Sequence, residues 1–351
     1  MEAMKHIISE VVDRKDLTEV EAEAAMKCVM SGEATQAQIS SFLTALRMKG
    51  ETIEEITAFA RVMREFAARI TPKVDDILVD TCGTGGDKIK TFNVSTTAMF
   101  VAAGAGIRIA KHGNRSVTSK AGSADVVEAM GVQIDLPPDE VQRCIETIGI
   151  GFMFAPRFHG AMKYATPVRR EMGIRTVFNI LGPLTNPAGA QAQVMGVFDR
   201  VLTEKLARVL GRLGCKRAMV VHGLDGLDEI STLGETQISE LKNGKVRTYK
   251  LKPEDLGIER TNVESIAGKD LVENTRMLIR VLRGEREPRR DIVLLNAAAA
   301  IVVGGKARDL RKGLAMAADA IDSGRAYEKV AQLVEVTGGD IQKLRDWEAG
   351  I

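Results

Sequence analysis

Through residues 1 to about 72, apolar and polar positions alternate with a helical period. Three capping-box patterns open three helices: Thr18 with Glu21, Thr35 with Gln38, and Thr52 with Glu55. After Thr52, the residues Ile56, Phe59, Met63, Phe66 and Ile70 recur at helical spacing and predict one buried stripe. No glycine-rich loop interrupts this stretch. It reads as a small helical domain with a packing or dimerisation role.

At Thr71-Pro72 the pattern changes. Short apolar runs predict strands at 77–79, 107–110, 132–134, 151–154, 194–198 and 218–221. Helical segments at 95–105 and 124–130 fall between them, the second stopped by Gly131. Alternating strands and helices predict an α/β domain with a mostly parallel sheet. Asn243-Gly244, set between 237–241 and 246–251, has the pattern of a type I′ hairpin. From Lys269 onward the pattern is helical again, and the apolar run 291–303 is closed by Gly304-Gly305.

Composition narrows the classes. With 351 residues and 45% hydrophobic content, the chain can bury one large core, or a large and a small one. A net charge of +2 is not the footprint of a nucleic-acid binder, yet it leaves room for a small anionic substrate, because local charge decides that. Cys28, Cys82, Cys144 and Cys215 are widely spaced with no C-x-x-C pair, the pattern of buried thiols in a reducing compartment. No signal-peptide core opens the chain, and apolar runs such as 297–303 are too short to span a bilayer. A cytoplasmic location, with neither membrane nor nucleic-acid partner, is the expectation.

Five segments carry candidate chemistry. In 80–87, Asp-Thr-Cys-Gly-Thr-Gly-Gly-Asp, the glycines allow a sharp turn that aims backbone N–H groups at one anion. The Gly-Lys-Ser/Thr of a P-loop is missing, and Lys111 stands where a dinucleotide fold wants an acid. In 93–96, Asn-Val-Ser-Thr begins a helix, where a cap and a bound phosphate are both compatible with the free N–H groups. The stretch 111–125 follows a strand and is dense in cations, hydroxyls and small residues, as a loop around a polyanion requires; its His112 and Asn114 offer donors for a carboxylate. The stretch 155–187 runs from His159 and Tyr164 through Arg169, Arg170 and Arg175 into a Gly/Pro-rich apolar loop, a wall suited to a flat aromatic ligand. Last, Asp225, Asp228, Glu229 and Ser231 follow the strand at 218–221 on its carboxyl side, where α/β sheets bind ligands. Paired carboxylates there suit Mg²⁺. His222 precedes them, and His6 reads as structural.

Taken in this order, the five segments resemble the anthranilate phosphoribosyltransferase family across essentially the whole chain, with no departure at a motif position. The resemblance implies the fold shared with pyrimidine nucleoside phosphorylases: a small helical domain, 1–72 joined by about 160–185, and a larger α/β domain over 73–351. It also implies a homodimer formed through the helical domain. The implied reaction joins the amino group of anthranilate to phosphoribosyl pyrophosphate (PRPP) with Mg²⁺, a step of tryptophan biosynthesis. The implied PRPP contacts are Gly83, Gly86, Asp87, Thr91 and the turn of Asn93, Val94, Ser95 and Thr96. They continue through Lys111, His112, Gly113, Asn114, Arg115, Ser116, Val117, Thr118 and Ser119 to Ser123. The implied magnesium ligands are Ser95, Asp228 and Glu229. Anthranilate is assigned to Gly83, Asn114 and Arg169, with His112, His159 and Tyr164 along its path. No catalytic acid or base is implied, since an aromatic amine is already a neutral nucleophile. Two other readings remain open at this level: a phosphorylase that would not need the acids, and a non-catalytic binder of nucleic acid using the basic loops.

Overall fold

The computed structural model describes residues 2–86, 89–116 and 121–350. Four helices come first: α1 (Glu2–Val12), α2 (Glu19–Ser31), α3 (Gln36–Lys49) and α4 (Ile53–Glu65). All three capping boxes form, at Thr18, Thr35 and Thr52, satisfying N–H groups that helix starts otherwise leave orphaned. Glu55 does more than cap. Fully buried, it also accepts from the Leu17 N–H at 2.9 Å and from Lys49 at 3.0 Å, tying α4 to α3 and to the connection after α1.

The predicted stripe along α4 ends early. Ile56, Phe59 and Met63 are buried, but Phe66 is 39% exposed and Ile70 lies beyond the helix in a different apolar cluster. The backbone leaves α4 because other partners claim it: Ala68 N–H donates to the Phe158 carbonyl and Ile70 N–H to that of Pro187. Proline at 72 also disfavours helix in the residue before it.

Seven strands form one sheet: β1 (Leu78–Gly83), β2 (Arg108–Gly113), β3 (Ile150–Phe154), β4 (Ala192–Gly196), β5 (Arg217–Gly223), β6 (Thr236–Lys242) and β7 (Lys245–Leu251). The order is β3-β2-β1-β4-β5-β6-β7; the first five are parallel and the last two join antiparallel. Asn243 and Gly244 both take positive φ, 53° and 73°, as a type I′ turn demands. The strand predicted at 132–134 is absent. Val132 and Ile134 are buried, but their segment packs on the C-terminal region, where Gln133 N–H donates to the Thr337 hydroxyl and Asp340 N–H to the Gly131 carbonyl. The sheet position beside β2 is taken by β3.

The remaining helices are α5 (Val94–Gly104), α6 (Ser123–Ala129), α7 (Pro138–Ile148), α8 (Ala155–Phe158), α9 (Thr166–Met172), α10 (Phe178–Leu181), α11 (Leu202–Arg212), α12 (Val263–Ile266), α13 (Leu271–Leu282), α14 (Pro288–Val303), α15 (Leu310–Asp322), α16 (Arg325–Val336) and α17 (Ile341–Ala349). Helices α5 and α14 are apolar on nearly every side and lie buried with α13, α15 and α16 in one core. A second core unites α1–α4 with Ala165–Leu184, α11 and part of the sheet. The architecture is thus a small N-terminal helical part and a larger α/β part with a mostly parallel sheet.

The order of strands places the site. From β1 the chain steps through β2 to β3, then crosses back to put β4 and β5 on the other side of β1. Connections therefore diverge above the carboxyl ends of β1 and β4, leaving a crevice at that switch point.

Candidate active site

The glycine-rich loop leaves β1 at Gly83, and its Thr84 N–H bonds the Gly196 carbonyl at the end of β4. From the far side of β4, the loop after β5 sends two acids into the crevice. The Asp228 carboxylate accepts from Gly85 N–H at 3.0 Å, and the Glu229 carboxylate from Ser95 N–H at 3.1 Å, in the first turn of α5. Both acids are more than nine-tenths buried. Each carboxylate thus sits on a backbone donor of a turn suited to an anion, where amide dipoles favour negative charge.

Close approach explains two glycines. A Cβ at Gly83 would lie 2.6 Å from the Asp228 carboxylate, and one at Gly196 would lie 1.5 Å from the Asp228 backbone carbonyl. Asp225 and Ser231, equal candidates by sequence, are turned on each other instead. The Ser231 hydroxyl donates to Asp225 at 2.6 Å, and Leu227 N–H donates to the same carboxylate. His222 is likewise structural, its Nδ1 2.7 Å from the Val197 carbonyl.

The N-terminus of α5 offers backbone more than side chains. Val94 and Thr96 are buried inward, and the Asn93 amide donates to the Ala121 carbonyl at 3.1 Å. Ser95 alone of the four keeps a partly exposed hydroxyl-bearing side chain beside the acids. Thr91 is bridged to Ala267 by the backbone.

Beyond β2 the polar loop is cinched by Asp125, which accepts from Ser116 N–H and from Gly122 N–H. The Arg115 guanidinium pairs with Asp125 and Glu128, whose bonds hold it above its ordinary range. The carbonyl of Asn114 accepts from Ser123 Oγ and Ala124 N–H, leaving the Asn114 side chain exposed. Gly113 packs against Ser123 and Phe152, where a Cβ would meet Ser123 Oγ at 2.5 Å.

Lys111 is placed unlike a ligand contact. It is 2% exposed, and its ammonium donates to the Thr81 carbonyl below the loop. Burial lowers its pKa and raises that of Asp80, and each opposes the other's shift by attraction. Asp80 accepts from His112 N–H at 3.2 Å and from the Asn186 amide at 2.8 Å, binding β1, β2 and the 185–188 loop together.

The imidazoles of His112 and His159 meet with ring centres 4.9 Å apart and planes tilted by 50°. Among the described residues, His112 Nε2 and both ring nitrogens of His159 are buried without a hydrogen-bond partner. Such atoms cost stability unless something polar meets them. Burial pushes His112 down to about 3 and His159 down to about 4, so both are neutral near pH 7. An unfolded histidine titrates near 6.5, so between these values the unfolded chain binds more protons than the folded one. Stability then rises with pH, and acidification below 6.5 costs at most about 1.4 kcal/mol per unit for each histidine. The thermal midpoint should fall from pH 6.5 to 5, and less steeply in a His112→Gln, His159→Gln variant. Parallel slopes for the two proteins would remove the histidines from this account.

Arg169, on α9, lies 5.2 Å over the Phe178 ring, and burial lowers its pKa. It forms no ion pair among the described residues. Arg175 donates to the Gly86 carbonyl at 2.5 Å and lies 4.4 Å over the Phe198 ring, so the segment after α9 holds the end of the glycine-rich loop. Nothing in the sequence singles out that tether. Tyr164 is 38% exposed and packs over Gly32 of the helical part, where a Cβ would meet its ring at 2.6 Å. The sequence candidates Asp87, Val117, Thr118 and Ser119 lie outside the described residues. Among the described residues no cluster of three His, Cys, Asp or Glu side chains is built to hold a metal alone. Two buried carboxylates beside a partly exposed serine fit a cation that also takes oxygens from a bound phosphate, as Mg²⁺ commonly does.

Comparison with known proteins finds relatives along nearly the whole chain. The family model of the glycosyl transferase a/b domain matches residues 75–327, and that of the family's helical bundle domain matches residues 5–67. Anthranilate phosphoribosyltransferase of Symbiobacterium thermophilum is 57% identical, over 95% of this chain and 98% of its own. The Acetivibrio thermocellus protein of the same name is 54% identical, over 96% and 98%. The crystal structure of anthranilate phosphoribosyltransferase (TrpD) from Thermus thermophilus has a TM-score of 0.89 at 42% identity, covering 94% of this chain and 99% of its own. The Saccharomyces cerevisiae enzyme in complex with PRPP and Mg has a TM-score of 0.87 at 27% identity, covering 95% and 98%.

Proposed function

The chain belongs to the anthranilate phosphoribosyltransferase family, and from that premise we propose how its residues join anthranilate to PRPP. The reaction gives N-(5-phosphoribosyl)anthranilate and pyrophosphate in tryptophan biosynthesis. One observation carries the proposal for the site: Asp228 and Glu229 meet the N–H groups of Gly85 and Ser95 at the β1/β4 crevice.

In this reading the glycine-rich loop with Gly83, Gly86 and Asp87, the turn 93–96, Thr91 and the loop 112–119 with Ser123 cradle PRPP. Ser95, Asp228 and Glu229 would hold Mg²⁺, which when bound would supply positive charge to offset that of the leaving diphosphate. Lys111 acts from beneath, through the Thr81 carbonyl of β1. The ribose C1–O bond breaks and its electron pair leaves with pyrophosphate. The lone pair of the anthranilate nitrogen forms the new C1–N bond, and that nitrogen then passes one proton to water. Amide donors aimed at the leaving group favour the step because charge grows there. No general base is invoked, and the neutral His112 and His159 serve as polar lining for the aromatic substrate, with Tyr164 farther out.

Arg169 takes the anthranilate carboxylate in this scheme, with Asn114 and Gly83 assigned to the same substrate. Its half-buried cation, with no ion pair among the described residues, supports that role. Arg169→Ala should raise the KM for anthranilate about 10- to 100-fold, the worth of one charge-assisted bond, with PRPP affinity kept within about twofold. An unchanged anthranilate KM would take Arg169 out of the site. The reaction itself is tested by following anthranilate fluorescence after addition of PRPP and Mg²⁺. A signal that persists with folded enzyme would overturn the assignment.

Residues 1–72 with about 160–185 form the helical domain in this reading, and 73–351 the α/β domain. The shared apolar core of α1–α4 with Ala165–Leu184 supports it. The same domain is proposed to pair two copies, as its exposed Val12, Val20 and Met48 suggest. A monomer mass in light scattering would dismiss the pairing. A cytoplasmic setting goes with the free thiols, and no helix of the described residues is long and apolar enough to cross a membrane.

A further inference from the structure

Helix α14 carries one polar residue in the run 292–303, and it bonds the residue that follows the acids. Asn296 is 2% exposed among Leu294, Leu295 and Ala297–Ala300, all buried. Its Oδ1 accepts from Ile230 N–H at 2.9 Å, while its Nδ2 donates to the Ile230 carbonyl at 3.0 Å and to the Ile292 carbonyl at 2.8 Å. The side-chain amide thus pairs with one peptide residue on both of its hydrogen-bonding groups, as two strands do. A donor facing an acceptor on each side also settles which way the amide points.

Ile230 follows Glu229 directly. On the opposite side of the same short segment, the Asp228 carbonyl rests on Gly196 at the end of β4. The backbone carrying the two acids is therefore gripped from the helix layer at 230 and from the sheet at 228. We propose that Asn296 is a positioning residue for the metal: by clamping Ile230 it sets the aim of the Asp228 and Glu229 carboxylates toward the cation held with the sugar diphosphate. The inference rests on the assignment of those acids to Mg²⁺ above. It adds a residue of α14, in the layer of helices behind the sheet, that touches neither substrate nor metal.

Removing the clamp leaves Ile230 with two unpaired buried groups and frees the segment to shift, and ligand geometry is what Mg²⁺ tolerates least. Asn296→Ala is expected to raise the Mg²⁺ concentration for half-maximal turnover about 10-fold or more. The rise in thermal midpoint on adding Mg²⁺ with PRPP should shrink, and the anthranilate KM should stay within about twofold. Asn296→Gln keeps both the acceptor and the donor of the amide, one methylene farther out, and should restore part of the metal response; it also serves if the alanine variant fails to fold. Val303→Ala, at the far end of α14, supplies a destabilised control that should respond to Mg²⁺ as the parent does. A parental Mg²⁺ dependence in both Asn296 variants would overturn the inference, as would an equal shift in the Val303 control. These outcomes differ from failure of the acid assignment, which would show as Mg²⁺-dependent turnover surviving the loss of both carboxylates.

Discussion

Asp228→Asn combined with Glu229→Gln should abolish magnesium-dependent turnover, by at least about 1,000-fold in kcat/KM, or about 4 kcal/mol of transition-state stabilisation. The substitutions keep size and shape. Each new side chain retains an oxygen able to accept from Gly85 N–H or Ser95 N–H, the two bonds the carboxylates now take. The fold should survive, with a thermal midpoint near that of the parent. What disappears is two negative charges at the point where a divalent cation must be neutralised. Asp225→Asn is the internal control, because Asp225 is occupied by Ser231 and Leu227 within its own loop. It should cost stability and leave the Mg²⁺ requirement unchanged. Full activity in the double variant, measured with folded protein at saturating Mg²⁺, would refute the metal assignment.

That contrast marks where sequence stopped being informative. Asp225, Asp228, Glu229 and Ser231 are four oxygen-bearing residues within seven positions, and nothing in their spacing says which two face outward. The turn through Gly226, at φ 105°, decides it by folding Asp225 back on Ser231. Helix starts were legible because capping is local: Thr18, Thr35 and Thr52 each bond within three residues. The strand predicted at 132–134 failed because the backbone of 131–133 finds partners more than two hundred positions away, at Thr337 and Asp340. The cations of the 111–125 loop looked alike in sequence. In space Lys111 is buried under β1 and Arg115 is paired with Asp125 and Glu128, while Asn114 stays exposed, its Oδ1 accepting from the Arg115 N–H. Asn296 did leave a signal, a lone amide in an apolar helix, but only its partner Ile230 gives that signal meaning.

Gly196→Ala should be the most damaging single methyl group in the molecule. An added Cβ would stand 1.5 Å from the Asp228 carbonyl oxygen and 2.5 Å from its carbon. Those are backbone atoms, so no rotamer change relieves the overlap; either β4 or the segment 228–230 must move by more than an ångström. Gly196 is also hydrogen-bonded through its carbonyl to Thr84 N–H, so movement of β4 would disturb the glycine-rich loop as well. Overpacking of this kind costs about 1–3 kcal/mol of stability or more. Displacing the acids by such a distance should lower kcat about 100-fold or more in the protein that still folds. Gly83→Ala offers the comparison. Its Cβ would meet the same residue at 2.6 Å, but at the carboxylate tip, which can swing aside. That variant should keep its thermal midpoint and lose metal response, since the tip is the part that must be aimed. Gly211→Ala, within α11 and closest to the Leu241 side chain at 3.3 Å, should be nearly neutral on both measures. If Gly196→Ala matched Gly211→Ala in midpoint and in kcat, the close approach of β4 to the acid loop would have no part in holding the site.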